Sequence, residues 1–192
     1  MFVSKISAIM LAAGSSRRMA GYDKLILPYH GKSLLQCAVE LLDSFEFHDK
    51  ILVTTMVRLK QIDLPPTIRA VINLSHETGQ SGSLRLSLEM ASGEYFLFLL
   101  ADQPLLSPSC LLKMLELAEN NPDKIVFPSI NGNPSSPTLF PARFLKDLMS
   151  LSGDKGGRAV RAAYPNDCLT YMPKNPEEFL DIDDEADYQL IL

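Results

Sequence analysis

The stretch Tyr95-Phe96-Leu97-Phe98-Leu99-Leu100 is the most apolar segment of the chain and carries no charge. An uncharged run of this length is typical of a β-strand covered on both faces, because a half-exposed strand would alternate apolar and polar residues. Asp102, Gln103 and Pro104 follow almost directly. The segment therefore predicts a buried central strand with a carboxylate just beyond its carboxyl end.

Shorter apolar runs on either side of this segment alternate with helical patterns. Ile6 to Leu11 ends in a Gly/Ser turn, which predicts a first strand. Ser33 can cap a helix whose apolar positions recur at spacings of three and four, and Ser107-Pro108 is typical of another helix start. The other predicted strands are Ile51 to Thr55, Ile68 to Ile72, Ile125 to Phe127 and Phe179 to Ile182, and the other predicted helices are Leu84 to Met90 and Phe144 to Met149.

This alternation favours an α/β fold, because strand–helix–strand units pack with right-handed crossovers into a mostly parallel sheet. Gly132 to Pro137 is rich in turn-forming residues and predicts a loop. No change in composition marks a second domain, so residues 1–192 are expected to form a single domain, as is common at this length.

Polar clusters follow four of the apolar runs. In a parallel sheet, ligands bind outside the carboxyl ends of the strands, where such clusters meet. The sequence therefore predicts one composite site at this edge. Its four parts are Gly14 to Arg18, Asn73 with Gly79-Gln80-Ser81, Asp102 to Pro104, and Asp181 to Asp183.

The first cluster, Leu11 to Met19, has the composition of an anion-binding turn. Small residues let the backbone approach a ligand closely, and successive amides can donate to an anion. Arg17, Arg18 and Lys24 add cations that suit phosphate. The cluster is neither a Gly-x-Gly-x-x-Gly loop nor a Walker loop, so from the residues alone an ordinary strand-to-helix turn with solvated arginines stays open.

Composition excludes several classes of protein. A net charge of −5 gives no basic surface for nucleic acid. No apolar run approaches the roughly 20 residues of a membrane span, and Gly14 and Arg17 interrupt the N-terminal segment too early for a signal peptide. Three cysteines without metal-ligand or redox spacing predict reduced thiols and a cytoplasmic location.

Five ordered motifs resemble those of the MobA-like nucleotidyltransferases. The Leu-Ala-Ala-Gly of the first motif is most similar to the molybdenum cofactor cytidylyltransferases, whereas guanylyltransferase relatives more often have Leu-Ala-Gly-Gly. The motifs are Leu11-Ala12-Ala13-Gly14-x-Ser16-x-Arg18-Met19 with Lys24, Gly79 to Leu84, Asp102-Gln103-Pro104, Gly153 to Arg158, and Asp181-Ile182-Asp183 with Asp187.

The sequence departs from the family pattern at three places. Met19-Ala20-Gly21 replaces Met-Gly, and Asp184-Glu185 replaces Thr-Pro in the closing motif. Ser135-Ser136-Pro137 replaces a Gly-His-Pro loop that the family associates with the acceptor.

The resemblance implies a Rossmann-like three-layer α/β/α fold of the GT-A-like, nucleotide-diphospho-sugar transferase type. It also implies a Mg²⁺-dependent enzyme that transfers CMP from CTP, or another nucleotide from its NTP, to molybdopterin. Arg18, Lys24 and Asp102 would be catalytic, with Asp102 and Asp183 as metal ligands and Asp181 as the next candidate ligand. Leu11, Ala12, Ala13, Gly14, Lys24, Asn73 and Ser81 would contact the nucleotide, and Asp154 and Arg158 would lie on the acceptor side or form an exposed ion pair.

Two alternatives remain open from the sequence. The same enzyme class could act on a sugar phosphate or polyol phosphate. The chain could instead be a non-catalytic accessory protein that delivers a cofactor to a molybdenum hydroxylase partner. Lys24, Asp102 and Asp183 favour an enzyme, because a carrier has no need of a metal-holding carboxylate pair.

Overall fold

The computed structural model of the chain describes residues 2–14, 22–74 and 79–192. Its main sheet has the strand order β10-β7-β9-β6-β1-β4-β5, with β8 added beside β7. A separate two-stranded ribbon pairs β2 with β3. The strands are β1 (Ile6–Ala12), β2 (Pro28–Tyr29), β3 (Lys32–Ser33), β4 (Asp49–Thr54), β5 (Arg69–Ile72), β6 (Tyr95–Leu100), β7 (Ile125–Ile130), β8 (Asn133–Pro134), β9 (Thr138–Pro141) and β10 (Cys168–Tyr171).

Parallel pairing dominates the main sheet. Strand β1 pairs in parallel with both β4 and β6, β4 pairs in parallel with β5, and β10 in parallel with β7. Strand β9 runs antiparallel between β6 and β7. The central position of β6 and the mostly parallel α/β sheet are therefore confirmed.

Helices cover both faces of the sheet, which gives three layers. Successive residues of β1 and β6 enter opposite cores, as the two-residue period of a strand requires: Met10 and Leu97 pack on one face, and Ile9 and Phe98 on the other. The first face is covered by α1 (Leu34–Asp43) and α4 (Pro108–Glu119), and the second by α3 (Gln80–Leu88), α5 (Leu145–Met149) and α6 (Gly157–Ala163). Short helices α2 (Met56–Leu59) and α7 (Glu185–Gln189) lie outside these layers.

The helix starts follow the predicted caps. Ser33 Oγ accepts from the Gln36 amide at the start of α1, and Ser107 Oγ accepts from the Cys110 amide at the start of α4. Each hydroxyl satisfies an amide that has no partner within its own helix. Pro108 occupies the first turn of α4, where its missing N–H costs nothing.

Two predicted elements are wrong. Residues 133–134 of the predicted Gly132 to Pro137 loop form strand β8, because Asn131 (φ 51°) and Gly132 (φ 82°) make the tight turn of a hairpin. Phe179 to Ile182 is not a strand: a 3-10 helix covers Pro176–Phe179, and Ile182 is buried with Leu34 and Tyr188 instead of joining the sheet. The last strand is β10.

None of the helices within the described part of the chain is long and apolar enough to cross a membrane. The three cysteines form no disulfide.

Candidate active site

Three predicted residues from distant parts of the chain meet at the carboxyl edge of the sheet. Lys24 Nζ lies 2.6 Å from Asp102 Oδ2 and 3.0 Å from Asp183 Oδ1. The side chains of Lys24 and Asp102 are 14% and 20% exposed, and that of Asp183 is 42% exposed. Two carboxylates therefore converge on one cation in a partly buried, accessible position.

The lysine and a third carboxylate respond oppositely to this environment. Burial lowers the pKa of Lys24, but the attraction of Asp102 and Asp183 outweighs it and leaves the pKa above its ordinary value. Burial, together with the neighbouring negative charges of Asp102 and Asp183, raises the pKa of Asp181 to about 6. The site is thus an acidic cluster that holds its lysine charged and resists a third negative charge.

The closing segment, residues 179–188, reaches this edge through backbone contacts. The Ile182 N–H donates to the Asp102 carbonyl at 2.9 Å, and the Ile182 side chain is fully buried. Asp184 and Asp187 form a capping box at the start of α7, and Asp187 also accepts from the Asp183 N–H. These contacts fix the backbone on both sides of Asp183.

Gln103 fastens two loops to the end of β6. Its side chain is almost fully buried, and Nε2 donates to the Ser136 carbonyl at 3.2 Å and to the Phe179 carbonyl at 3.3 Å. Gln103 therefore joins the Ser135-Ser136-Pro137 loop to the closing segment. Its position in the motif was predicted, but this connecting role was not.

The carboxylates fit a hard divalent cation. Asp102 Oδ1 is buried and has no hydrogen-bond partner among the described residues, and Mg²⁺ prefers carboxylate oxygens from one or two side chains together with substrate oxygens. Within residues 2–14, 22–74 and 79–192, no three His, Cys, Asp or Glu side chains form a closed metal site. The donor set therefore suits an ion that is shared with a phosphorylated ligand.

The loop after β1 is held by a buried arginine, Arg58, that belongs to none of the sequence motifs. Arg58 is 5% exposed, and its Nη1 donates to the Ala12 carbonyl at 2.6 Å. Its Nε and Nη2 make a bidentate pair with Asp23 at 2.7 and 2.9 Å. Asp23 precedes Lys24, so Arg58 links the Leu11 to Gly14 backbone to the lysine segment. No motif identifies Arg58 because its partners are distant in sequence.

Asn73 and Ser81 lie at the same edge but are engaged in structural contacts. Asn73 is 2% exposed, and its Nδ2 donates to Ser83 Oγ at 2.8 Å. The Ser81 N–H donates to the Gly153 carbonyl at 3.2 Å. These bonds join β5 and α3 to the Gly153 turn, and a nucleotide contact by either side chain stays a prediction.

The remaining predicted residues are placed as follows. Ala12 and Ala13 are buried, and Leu11 lines an open cavity. A Cβ at Gly14 would meet no atom within 4 Å among the described residues. Arg158 lines the same cavity, whereas Asp154 lies beside Gly79. Arg18 lies outside the described residues.

A model of the MobA-like NTP transferase domain matches residues 8–168, which include most of β1, Lys24 and Asp102. The chain belongs to the MobA-like NTP transferase family. The matched region ends before Asp183, which the structure brings to Lys24 from the closing segment.

A relative with a described function agrees with this membership. The chain is 28% identical over 131 residues to a protein described as a probable molybdenum cofactor guanylyltransferase from Natranaerobius thermophilus, a match that covers 67% of this chain and 62% of that relative. The chain therefore spans less than two thirds of that relative's length.

Two solved structures share the fold. A nucleotidyl transferase from Methanothermobacter thermautotroptrophicus superposes with a TM-score of 0.80 at 23% identity, over 97% of this chain and 95% of that chain. Rv0371c from Mycobacterium tuberculosis, in complex with manganese, superposes with a TM-score of 0.74 at 22% identity, over 98% of both chains. These similarities confirm the Rossmann-like three-layer fold.

Proposed function

We propose that this MobA-like protein is a Mg²⁺-dependent nucleotidyltransferase that transfers CMP from CTP to molybdopterin and releases pyrophosphate. The observation that carries the proposal is the convergence of Lys24, Asp102 and Asp183 beside the loop after β1. A lysine and two carboxylates at the carboxyl edge of a parallel sheet suit a triphosphate and its metal ion.

In this reaction an oxygen of the acceptor phosphate attacks the α-phosphorus of CTP. A bond forms between that oxygen and the α-phosphorus, and the bond from the α-phosphorus to the bridging oxygen of the β-phosphate breaks. The bridging oxygen leaves with pyrophosphate. No covalent intermediate with the protein is required, so positioning and charge neutralisation supply the catalysis.

Each predicted residue has a role in that scheme. The backbone from Leu11 to Gly14, positioned through Arg58, would orient the nucleotide together with Asn73 and Ser81. Lys24 and Arg18 would offset charge on the phosphates. Asp102 and Asp183 would hold Mg²⁺, which when bound neutralises phosphate charge; the manganese complex of Rv0371c supports a divalent cation in this fold.

The choice of base and acceptor rests on the relatives and the first motif. The description of the Natranaerobius protein supports the molybdenum cofactor as acceptor and makes GTP the competing nucleotide. Leu11-Ala12-Ala13-Gly14 favours CTP, by its resemblance to the cytidylyltransferases. Ser135 to Pro137, in place of the family's Gly-His-Pro, keeps a sugar phosphate or polyol phosphate as the alternative acceptor.

The test is pyrophosphate release with each of the four NTPs and Mg²⁺, with and without molybdopterin, in the wild type and in Asp102→Asn. Asp123→Asn is the matched control, because Asp123 is exposed and precedes β7, at the sheet edge opposite the acidic cluster. We expect release with CTP that requires molybdopterin and is lost by a factor of about 10² or more in Asp102→Asn.

Other outcomes separate the alternatives. Release with GTP alone would reverse the base, and release that requires a polyol phosphate would replace the acceptor. If no NTP is turned over while CTP or molybdopterin still binds by calorimetry, the chain is a carrier for a molybdoenzyme partner and the enzyme proposal is overturned.

A further inference from the structure

An open cavity of about 310 Å³ lies beside the acidic cluster. Asp181 lines it at the end nearest Asp102 and Asp183, and Leu11 and Phe98 contribute apolar wall. Ser135 and Ser136, from the loop that departs from the family pattern, form another part of the lining. The cavity therefore adjoins the proposed site of transfer and is positioned for the acceptor.

Arg161 and Arg158, one helical turn apart on α6, line this cavity. Arg158 is exposed, but Arg161 is 9% exposed and its guanidinium lies 4.1 Å from the centroid of the Phe127 ring. Burial lowers the pKa of Arg161; the neighbouring Cys168 thiol partly opposes this shift, and the charge of Arg158 adds to it. The cavity thus contains a buried cation whose desolvation is not relieved by its charged neighbour.

Two other arginines, one buried and one stacked on a phenylalanine ring, each pair with a carboxylate. Arg58 is also buried, but it pairs with Asp23 through two hydrogen bonds. Arg143 also lies over a phenylalanine ring, Phe144, at 4.2 Å, and it pairs with Asp167 at 2.7 Å. Among the described residues no carboxylate lies within ion-pair distance of Arg161, and its one hydrogen bond, to the Ser135 carbonyl at 3.5 Å, is long.

A buried guanidinium without a carboxylate is costly, and such groups are rarely found unless an anion completes them. Phe127 fixes the plane of the Arg161 guanidinium by a cation–π contact, and the Arg161 side chain borders the cavity. An anion in the cavity would supply the missing partner and accept from a planar, preorganised donor.

We propose that Arg161 binds a second anionic group of the acceptor, at the end away from the phosphate that reacts. This inference rests on the proposed function, since it takes the cavity to be the acceptor site. It deepens that function by defining the substrate class: the acceptor carries a phosphate at one end and a negative charge at the other. A polyol phosphate has neutral hydroxyl groups in place of that second charge.

Two small phosphates that differ at the far end test the inference. 3-Phosphoglycerate and glycerol 3-phosphate share a three-carbon phosphate, and only the first ends in a carboxylate. Their affinities are measured by calorimetry with Mg²⁺ and a non-hydrolysable CTP analogue, which keeps phosphate groups out of the nucleotide site, and again without the nucleotide. We expect the wild type to prefer 3-phosphoglycerate by about tenfold or more, the size of a charge-assisted hydrogen bond.

Arg161→Met should remove that preference while leaving glycerol 3-phosphate binding unchanged, and Arg161→Lys should restore part of it because the charge returns without the planar fork. Arg143→Met is the matched control, since it removes an arginine that also covers a phenylalanine but lies outside the cavity. Thermal denaturation confirms that each variant is folded before its affinities are compared.

Two results would overturn the inference: equal affinity of the wild type for both probes, or a preference that persists in Arg161→Met. The readout is binding, so it is separate from the pyrophosphate assay. A carboxylate preference that depends on Arg161, together with an absence of nucleotide turnover, would overturn the enzyme proposal but still support the anion site.

Discussion

Lys24 pairs with the two carboxylates that would hold a divalent cation. Its Nζ is within 3.0 Å of both Asp102 and Asp183. If these carboxylates hold Mg²⁺, the Lys24 ammonium group would compete with the ion for the same oxygens. Lys24 would then pair with the carboxylates in the free protein and contact the phosphates of the nucleotide in the complex.

Lys24→Met should therefore bind Mn²⁺ more tightly than the wild type in the absence of nucleotide, by roughly tenfold, since two charge-assisted hydrogen bonds no longer compete. The same variant should lose nucleotide transfer. Electron paramagnetic resonance of free Mn²⁺ during a titration measures the affinity directly. Lys32→Met is the control, because Lys32 pairs with Glu40 on the exposed surface. Unchanged or weaker Mn²⁺ binding by Lys24→Met would show that the lysine does not occupy the ion's position.

Asp181 makes the free protein sensitive to pH. Its pKa in the folded chain is about 6, above the ordinary 3.8, so the folded state binds the proton more tightly than the unfolded state does. Below pH 4 both states are protonated and the group has no effect. As pH rises through 4 to 6 the folded state is progressively destabilised, by up to about 3 kcal/mol above pH 6.

Asp181→Asn removes this cost, so it should raise the free energy of unfolding at pH 7.5 by about 1–3 kcal/mol and leave it unchanged near pH 4. Urea denaturation with a chelator present, at both pH values, measures the difference. Asp123→Asn should change neither value, since Asp123 is exposed. A variant that is no more stable than the wild type at pH 7.5 would contradict the burial of charge at Asp181.

At the scale of elements, local patterns predict most of the strands and helix starts. The uncharged run of β6 and the caps Ser33 and Ser107 are properties of short segments, and the structure has them as predicted. The reversed strand β9 and the non-strand course of Phe179 to Ile182 depend on tertiary contacts. Phe179 and Ile182 are buried in two different hydrophobic clusters. The apolar run alone does not distinguish this arrangement from a strand.

The candidate site shows the same division. Asp102 and Asp183 follow from motifs, and the structure brings both to Lys24. Arg58 and Gln103 hold the surrounding loops by donating to backbone carbonyl oxygens. Every residue has such a carbonyl, so the sequence does not indicate which one is the partner. Residues that position a site by bonding to backbone are therefore the ones that sequence patterns miss.

The start of helix α3 depends on a glycine for two reasons. Gly79 has φ 103°, and a Cβ there would lie 2.5 Å from the Gly153 carbonyl oxygen. Gly132 has a similar positive φ of 82°, but a Cβ there would meet nothing within 4 Å. Both positions have a positive φ, but only at Gly79 would a Cβ also overlap a neighbouring backbone atom.

Gly132→Ala should cost about 1–2 kcal/mol of unfolding free energy, the strain of a positive φ alone. Gly79→Ala should cost about 1–3 kcal/mol more, because the Gly153 turn must move and the Ser81 N–H loses its bond to Gly153. Urea denaturation of both variants measures the difference. Equal losses would mean that the Gly153 turn moves aside without cost.

At the scale of the whole molecule, the closing segment completes both the core and the site. Ile182 and Tyr188 pack against Leu34 at the start of α1 and against Leu27 and Tyr29, while the Tyr188 hydroxyl donates to the Pro28 carbonyl. The packing of Ile182 against Leu34 and Tyr188 therefore also determines where Asp183 lies, because Asp183 directly follows the buried Ile182 in the chain.

Ile182→Ala and Leu42→Ala separate that property from stability in general. Both side chains are fully buried, and Leu42 belongs to the large core cluster under α1. Each truncation should cost about 2–5 kcal/mol of unfolding free energy. Only Ile182→Ala should also weaken Mn²⁺ binding, by roughly tenfold, because a loosened Ile182 no longer holds Asp183 beside Asp102 and an ion would lose one of its two carboxylates. Denaturation and Mn²⁺ titration on the same samples measure both effects. If the two variants lose equal stability and keep equal Mn²⁺ affinity, the closing segment stabilises the fold without positioning the metal ligand.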